Sequence, residues 1–415
     1  MKKVLFLIGN YLPKMSANGV CCQRIIKKYI SMGYDVTCIA NHQYKTPKET
    51  FDAGLKIHYV KIPLFYKFNI YKNAELNKKK NIYKILAYIW GYINYVTSAF
   101  SFPFVSKSFI KRILKLAKTL HKKNKYDIVI GVNYPTDDAY VACKLKDKYN
   151  DLCCVAYLLD PVVGGRAHNL LKKETMTKKA LKAEKYILSS ADLLICQKEH
   201  KEHYTKYYSE EERKKVHYLG VPLLTERKCT ESRRNNPKTV LYAGSLFKDI
   251  RNPEFIINTF KYCKNTILKI YTSADKKWIS ELVGESENII FYEPVSHKEI
   301  EKLSMEADAF LNIGNSYSCS LPSKIIDYIS YGKPIINTYR IDNDPSDALL
   351  KKYPICLSFD ERKKDYKASA YKIERFLEEE YKKVSYAELK EIFYTETPEK
   401  FIELVEMNRM CEENE

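Results

Sequence analysis

The stretch "LPSKIIDYISYGKPIIN" (residues 321–337) predicts a loop, a short helix, a turn and a strand, in that order. Ile325 and Ile326 begin an apolar face at helical spacing. Gly332 suits the left-handed position that follows a helix, and Pro334 cannot continue one. The run that closes the stretch is apolar and predicts a buried strand. The stretch therefore indicates a helix-to-strand unit of an α/β protein.

The entrance of this predicted helix has the residues of an anion site. We expect Ser323 to cap the helix through its side-chain oxygen, and Lys324 adds a full positive charge to the free N–H groups of the first turn. Asp327 lies one turn further on the same side, where its carboxylate suits sugar hydroxyls better than a phosphate. The stretch thus predicts a phosphate at the entrance and a sugar one turn in, although a capped helix with a surface lysine and aspartate would have the same pattern.

Length and charge limit the classes of protein to consider. The chain has 415 residues, enough for two or three domains, and 45% of them are hydrophobic, which excludes a disordered protein. A formal net charge of +19 predicts an acidic partner such as a nucleic acid, a nucleotide or an anionic lipid. No zinc-finger, RRM or KH signature is present, so we predict no nucleic-acid partner.

Cysteines and histidines give no sign of a disulfide framework or a metal site. The twelve cysteines include two adjacent pairs and no C-x-x-C, which is typical of free thiols in a reducing compartment. The apolar run in "MKKVLFLIGN" is short for a signal peptide and predicts a first buried strand. His200 and His203 have a spacing that metals can use, but their glutamate neighbours favour a solvated helix face. We therefore expect a cytoplasmic chain without a bound metal.

Strands and helices alternate in two blocks separated by a polar segment bounded by prolines. This alternation predicts two Rossmann-like, doubly wound parallel-sheet domains, with ligands at the carboxyl ends of the strands. We expect the domains to face a central cleft. The predicted parts are an N-terminal domain (1–221), a linker (222–238), a C-terminal domain (239–395) and a C-terminal helix returning toward the N-terminal domain (396–415).

A second basic loop follows the first strand of the C-terminal domain, in "YAGSLFKDIRNPEFII". Gly244 and Ser245 are small enough to let a ligand approach the backbone. Arg251 could form a bidentate pair with a diphosphate. Because this loop and the 321–337 stretch both follow strands of one predicted sheet, together they predict a nucleotide diphosphate site.

Residues 85–125 combine an uncharged aromatic run with a basic helix. Residues 85–105 carry no charge, and eight Lys or Arg follow between residues 107 and 125. We expect this segment to lie on an anionic membrane surface. Ordinary buried helices and a membrane span are the alternatives.

Four stretches resemble GT-B glycosyltransferases of family 4. "LPSKIIDYISYGKPII" resembles their P-S-K-x-x-E-Y-x-x-x-G-K-P-V-I segment, and "YAGSL…RNPE" is similar to their glycine and basic loop. "YLLDP" (157–161) looks like the aspartate segment of their N-terminal domain, and "NYLPKMSANG" (10–19) resembles their first loop. The likeness extends over nearly the whole chain.

The resemblance implies a GT-B fold and a retaining, metal-independent glycosyltransferase that needs no cofactor besides its nucleotide-sugar substrate. It implies Asp160 as an acceptor-side catalytic carboxylate, with Asn18 and Gly19 near the acceptor. The donor-binding residues that it implies are Gly244, Ser245, Arg251, Asn252, Ser323, Lys324 and Asp327.

The acceptor implied is a glycan, either lipid-linked or a surface polysaccharide precursor. Together with residues 85–125 this predicts a peripheral enzyme at the inner face of the plasma membrane.

The chain departs from the family pattern at several positions, including residues 270–277, which lack the glycine usual after this strand. Cys319 stands eight residues before Asp327, where the family often has a first glutamate, and Gly19 lacks a second glycine beside it. A GT-B sugar-nucleotide epimerase and a non-catalytic basic scaffold are therefore the alternative functions.

Overall fold

The computed structural model describes residues 1–13, 15–43, 46–73, 79–227, 235–318 and 321–413. The chain divides into two compact units. The first unit is Met1–Pro222 with Pro398–Glu415, and the second unit is Leu223–Thr397. Residues 228–234 of the predicted linker and Cys319 lie outside the described residues.

The first unit is built on an eight-stranded sheet with the order β3-β4-β2-β1-β5-β6-β7-β8. Its strands are β1 Lys3–Ile8, β2 Asp35–Asn41, β3 Glu49–Asp52, β4 Leu55–Val60, β5 Ile128–Val132, β6 Cys153–Leu158, β7 Leu193–Gln197 and β8 Val216–Leu219. Every residue of β5, β6 and β7 is buried, as expected for parallel strands covered on both faces.

The edge strand β3 departs from the predicted parallel sheet, because it pairs antiparallel with β4. The two strands form a hairpin whose turn residues, Ala53 and Gly54, both have positive φ angles. Such a two-residue turn matches the twist of the strands that it joins. Sequence alternation did not predict β3 because the strand is short and mostly exposed.

The helices of the first unit follow its strands along the chain. They are α1 Ala17–Ser31, α2 Leu64–Asn73, α3 Lys80–Ser101, α4 Lys107–Asn124, α5 Thr136–Lys146, α6 Lys173–Ser190, α7 Lys201–Tyr207 and α15 Pro398–Glu413. Among the helices of the described ranges, none combines the length and the apolar character that a membrane crossing requires.

The second unit is built on a six-stranded, wholly parallel sheet with the order β11-β10-β9-β12-β13-β14. Its strands are β9 Lys238–Ala243, β10 Thr266–Tyr271, β11 Ile289–Tyr292, β12 Ala309–Ile313, β13 Ile335–Tyr339 and β14 Cys356–Asp360. Its helices are α8 Glu254–Phe260, α9 Lys276–Val283, α10 His297–Glu306, α11 Lys324–Ile329, α12 Pro345–Leu350, α13 Tyr366–Glu378 and α14 Tyr386–Ile392. The predicted fold class, two doubly wound α/β domains, is confirmed.

The last helix, α15, belongs to the first unit although it follows the second unit along the chain. It packs on α1, where Lys28 Nζ lies 3.0 Å from Glu399 Oε1. The buried ring of Phe401 contacts Tyr157 edge-on, with centroids 5.0 Å apart. The C-terminal segment is therefore part of the core of the first unit.

Candidate functional site

The sheet of the second unit reverses its strand order between β9 and β12, which are neighbours at its centre. From β9 the chain adds β10 and β11 on one side, and it then returns to add β12, β13 and β14 on the other. In open α/β sheets a crevice forms at the carboxyl ends of the strands at such a switch point. Gly244 and Ser245 follow β9, and Gly314 and Asn315 follow β12, so all four lie at this place.

Arg251 connects the two sides of the switch point. Its Nη2 and Nε donate to Asn315 Oδ1 at 2.7 and 3.2 Å, and its Nη1 donates to the carbonyl of Ser245 at 3.4 Å. Its backbone pairs with Phe247 in both directions, which holds the loop. Asn315 is buried and Arg251 only half-buried. The structure therefore brings Arg251 and Ser245 together and orients a guanidinium at the crevice.

Lys324 lies close to this guanidinium, at the start of α11. The protein atoms around its amine lower the pKa of Lys324, although the residue as a whole remains exposed. The charge of Asp327 opposes that decrease in pKa, and the charge of Arg251 adds to it. The two positive charges thus repel each other here, and an anion bound between them would offset that repulsion.

Ser323 does not make the predicted cap. It occupies the N-cap position of α11, but its side chain accepts no hydrogen bond from the first turn. A capping residue normally has extended backbone angles, whereas Ser323 has φ −57° and ψ −27°, which are helical values. The prediction of a capping hydroxyl was therefore wrong, and the half-buried Ser323 keeps its place at the entrance of α11.

Asp327 has a partner that sequence reasoning missed. Its Oδ1 accepts a hydrogen bond from Nη2 of Arg227, whose Nη1 donates to Glu301 Oε1 at 2.8 Å. The guanidinium also stacks over the ring of Tyr331, 5.1 Å from its centroid. Burial alone would lower the pKa of Arg227, but Asp327, Tyr331 and Glu301 together raise it. The carboxylate that we assigned to sugar hydroxyls is thus oriented by a buried arginine.

Two other residues of the 321–337 stretch, Tyr328 and Lys333, make contacts that position α11. The hydroxyl of Tyr328 accepts from the Ala243 N–H at 2.9 Å, and its ring stacks on Phe310 at 4.5 Å, which ties α11 to β9. Lys333 is buried and donates to carbonyls at the end of α10, including those of Met305 and Ala307 at 2.6 Å. These contacts set where α11 presents Lys324 and Asp327.

Asn252 is engaged in local structure beside the crevice. Its Oδ1 accepts from the N–H of Glu254 at 3.0 Å, at the start of α8, and its carbonyl accepts from Arg340 Nη2 at 2.9 Å. The side chain therefore accepts from an N–H at the start of α8, although the N-cap residue itself is Pro253, and the structure gives it no separate contact with Arg251.

The first unit has its own switch point, between β1 and β5. Asn18 Nδ2 donates to the carbonyl of Asn133, just after β5, at 2.5 Å. Gly19 is buried, and its N–H donates to Ser16 Oγ at 3.2 Å. A Cβ atom on Gly19 would lie 2.6 Å from the carbonyl oxygen of Asn10, so only glycine fits there without a shift of backbone. The predicted acceptor-side pair thus shapes the loop over this switch point.

Asp160 lies at the same end of the sheet as Asn133. Asn133 is fully buried, donates to the carbonyl of Asp160 and accepts from the Leu159 N–H at 2.9 Å. The Asp160 side chain remains 47% exposed, and its Oδ1 lies 3.7 Å from His200 Nε2. Sequence reasoning missed this neighbour, because His200 is forty residues away and was interpreted only with His203.

The expectation that His200 and His203 form a solvated face was wrong. His200 is buried, with Nε2 2.9 Å from the carbonyl of Leu159. His203 Nε2 lies 2.6 Å from Oε1 of Glu184, which also accepts from the Tyr208 hydroxyl at 2.8 Å. The polar residues around these histidines suggested exposure, but His200 packs against the end of β6 and His203 against α6.

No protein-family model and no curated protein sequence matches the chain. Solved structures do match it over nearly its whole length. Sucrose-phosphate synthase from Thermosynechococcus elongatus is 12% identical, with 100% of this chain and 98% of that chain covered and a TM-score of 0.59.

Two further structures match to a similar extent. Anabaena HepE, solved with UDP and glucose, is 11% identical, with 98% and 100% of the two chains covered and a TM-score of 0.58. The lipopolysaccharide outer core galactosyltransferase WaaB is 12% identical, with 99% of each chain covered and a TM-score of 0.55. The chain has the GT-B fold that these proteins share.

Proposed function

We propose that this protein is a glycosyltransferase that moves a sugar from a nucleotide diphosphate sugar to an acceptor. The observation that carries the proposal is the Arg251 guanidinium, held by Ser245 and Asn315 at the switch point of the second unit with Lys324 near it. The shared fold with proteins such as Anabaena HepE, which was solved with UDP and glucose, supports it.

In this proposal each donor-site residue has one role. Arg251 and Lys324 bind the diphosphate, which brings the anion that their two positive charges require. Asp327, oriented by Arg227, accepts hydrogen bonds from the ribose hydroxyls. Gly244 and Ser245 let the donor approach the end of β9, and Ser323 and Asn252 line the entrance.

The proposed reaction retains the anomeric configuration and needs neither a metal nor a cofactor. The acceptor hydroxyl attacks the anomeric carbon, the bond from that carbon to the diphosphate oxygen breaks, and the leaving diphosphate takes the acceptor proton. Arg251 and Lys324 stabilise the charge that develops on the leaving group. On the acceptor side, Asp160 binds and orients the hydroxyl, and Asn18 and Gly19 shape the loop beside it.

We also propose that the protein works at an anionic membrane, as a peripheral enzyme of the cytoplasmic face, on a lipid-linked glycan or a surface polysaccharide precursor. The support is α3, whose exposed apolar residues recur at helical spacing along one stripe. This α3 stripe consists of Ile82, Ile85, Ile89, Tyr92, Ile93, Val96 and Phe100. Exposed tyrosines and lysines near such a face are typical of helices that lie in a membrane interface.

The test is donor turnover and binding. Purified protein should release nucleoside diphosphate from at least one sugar nucleotide in a UDP, GDP and dTDP panel, with and without a chelator. Arg251→Ala should weaken donor binding roughly tenfold to a hundredfold, since a charged hydrogen bond contributes about 1.5–3 kcal/mol.

The matched control is Arg362→Ala. Arg362 follows the edge strand β14, away from the switch point, and its guanidinium pairs with Asp360 and Asp342. Donor affinity should be unchanged in this variant. If Arg251→Ala folds and binds every donor as the wild type does, or if no donor is turned over or bound, the proposal fails.

A further inference from the structure

A cavity of about 910 Å³ lies within the first unit, between α2, α3, α4 and the end of β4. Its size falls in the range of about 300–1,000 Å³ that is common for small-molecule sites. The donor-site residues and the acceptor-side residues named above do not line it. The cavity is therefore a separate site.

The lining of the cavity is cationic. Lys61, Lys67, Lys107 and Arg112 contribute four positive charges, and the described lining residues include no Asp or Glu. Burial lowers the pKa of His42, another lining residue, and the charge of Lys67 lowers it further. The positive charge of this lining favours the binding of an anion.

Arg112 supplies the donors for such an anion. Its Nε and Nη2 are shielded from solvent and donate to no group among the described residues. Burial also lowers the pKa of this guanidinium. A buried donor without an acceptor is costly, and a guanidinium fork matches the oxygens of a phosphate. These two donors have almost no accessible surface toward the cavity, so they would meet a phosphate there after a rotation of the Arg112 side chain.

The rest of the lining is apolar and continues onto the protein surface. Phe65 and Trp90 line the interior, and Ile93 and Phe100 line the cavity while belonging to the α3 stripe. Phe100 is 78% exposed, so the apolar surface leads out of the cavity along α3. A free phosphate would leave both this surface and most of the volume unused.

We propose that this cavity binds the phosphate end of an amphipathic lipid, with the phosphate on Arg112 and Lys67 and the apolar chains on the α3 stripe. This binding goes beyond sugar transfer and does not depend on it. It also differs from attraction to an anionic surface, because it requires a phosphate group at a defined place.

Trp90 provides a direct readout of binding. The protein has two tryptophans, and the other, Trp278, lies on α9 of the second unit. In a full-length Trp278→Phe protein, fluorescence therefore reports only on the indole that lines the cavity. The probes are dihexanoyl phosphatidic acid, dihexanoyl phosphatidylcholine and inorganic phosphate, with each lipid below its critical micelle concentration.

We expect phosphatidic acid to change the Trp90 fluorescence and to saturate, and the other two probes to bind at least about tenfold more weakly. Arg112→Gln and Lys67→Gln should each weaken phosphatidic acid binding by about tenfold or more. The matched control is Lys115→Gln. Lys115 lies on α4 but lines a different, lysine-rich groove. The affinity of this variant should stay within about threefold of the wild type.

Three outcomes would overturn the proposal. Equal responses to both lipids would show that the cationic lining does not recognise the anionic phosphate monoester that distinguishes phosphatidic acid from zwitterionic phosphatidylcholine. Inorganic phosphate binding as tightly as phosphatidic acid would show a free-phosphate site. Unchanged affinity for phosphatidic acid in folded Lys67→Gln would show that the cationic lining does not bind the lipid. This variant is the test if Arg112→Gln fails to fold.

Discussion

At the scale of single residues, charge pairing decides what the donor site can do. Asp327 and Glu301 share one arginine, and Arg227 is the most buried of the three, with 10% of its side chain exposed. Removing one partner of such a group leaves the others poorly solvated. The carboxylate proposed to bind ribose therefore depends on a residue that lies a hundred positions away.

Arg227→Gln should lower the free energy of unfolding of the second unit by about 1–3 kcal/mol, because it removes the guanidinium that both partly buried carboxylates bind. Donor affinity should fall as well, because Asp327 loses its orienting partner. Denaturant unfolding and donor titration measure the two effects. The comparison is Arg362→Gln, whose partners include the exposed Asp342 and whose effect on the free energy of unfolding should be smaller than that of Arg227→Gln. Equal unfolding free energies for the two variants would contradict the prediction.

Asp137 should make the stability of the first unit depend on pH. Burial raises the pKa of Asp137 from 3.8 to about 6, although its carboxylate accepts from the Val105 N–H at 2.9 Å. The folded protein thus binds this proton more tightly than the unfolded chain. The contribution of Asp137 is fully present below about pH 4 and is lost as the pH rises through about 6.

Asp137→Asn removes this titration and keeps an acceptor for Val105. The difference in unfolding free energy between the variant and the wild type should shift in favour of the variant by about 2 kcal/mol between pH 4 and pH 7. Other titrating groups largely cancel in this difference apart from Asp138, whose pKa the charge of Asp137 raises. Thermal or denaturant unfolding measures the difference. A difference that stays constant over that range would show that the carboxyl group does not titrate there.

At the scale of elements, α3 is the unusual helix. A helix on the surface of a globular protein normally presents polar residues to solvent, whereas Ile85, Ile89 and Phe100 are all at least half-exposed on the α3 stripe. Contiguous exposed apolar patches on a protein surface commonly mark interaction sites. A bilayer interface would cover this patch, with the lysines near it attracted to anionic lipids.

Replacing both Ile85 and Ile89 by Asn should weaken binding to anionic vesicles roughly tenfold or more at high salt, because two apolar side chains no longer enter the interface. The fold should survive, since both positions are exposed. Co-sedimentation with vesicles measures the effect. Phe51→Asn, at an exposed apolar residue of β3, is the control and should bind as the wild type does.

A charge variant separates the electrostatic part of this binding. Changing Lys111, Lys115 and Lys118 to Gln should weaken binding at low salt, by on the order of 1 kcal/mol for each lysine near the surface, and should change it little at high salt. Recovery of the wild-type protein in the soluble fraction with and without anionic vesicles would rule out the membrane proposal.

At the scale of the whole molecule, the first unit is not continuous along the chain, whereas the second unit is. The first unit needs its last helix from beyond the second unit, because Phe401, Ile402 and Val405 of α15 are buried in it. Lys2 also pairs with Glu406, which joins the first strand to the last helix. The first unit therefore cannot complete its core without the C-terminal helix α15.

A protein ending at Thr397 should lose much of the stability of the first unit and little of that of the second. Full burial of one large apolar side chain is worth about 1.5–3 kcal/mol, and the truncation exposes three such sites. Calorimetry should show one melting transition at a lower temperature, while donor binding continues to stabilise the other. A single transition at the wild-type temperature would contradict this view of the units.

Local sequence determined the elements of this protein and the residue types of its site. Continuous apolar runs such as Ile128–Val132 predict buried parallel strands, and the 321–337 stretch predicts the helix that carries Lys324 and Asp327. Both inferences succeed because they depend on patterns among neighbouring residues, which are a continuous apolar run for a strand covered on both faces and a period of 3.6 residues for a helix. The basic loop at Arg251 was found for the same reason.

Only the tertiary structure decided which of these residues meet. Arg251 binds Asn315 across 64 positions, and Asp160 approaches His200 across forty. The cavity around Arg112 assembles from segments that have no common pattern. These contacts depend on strand order and helix packing, and a periodic pattern shows which face is buried without showing what it is buried against.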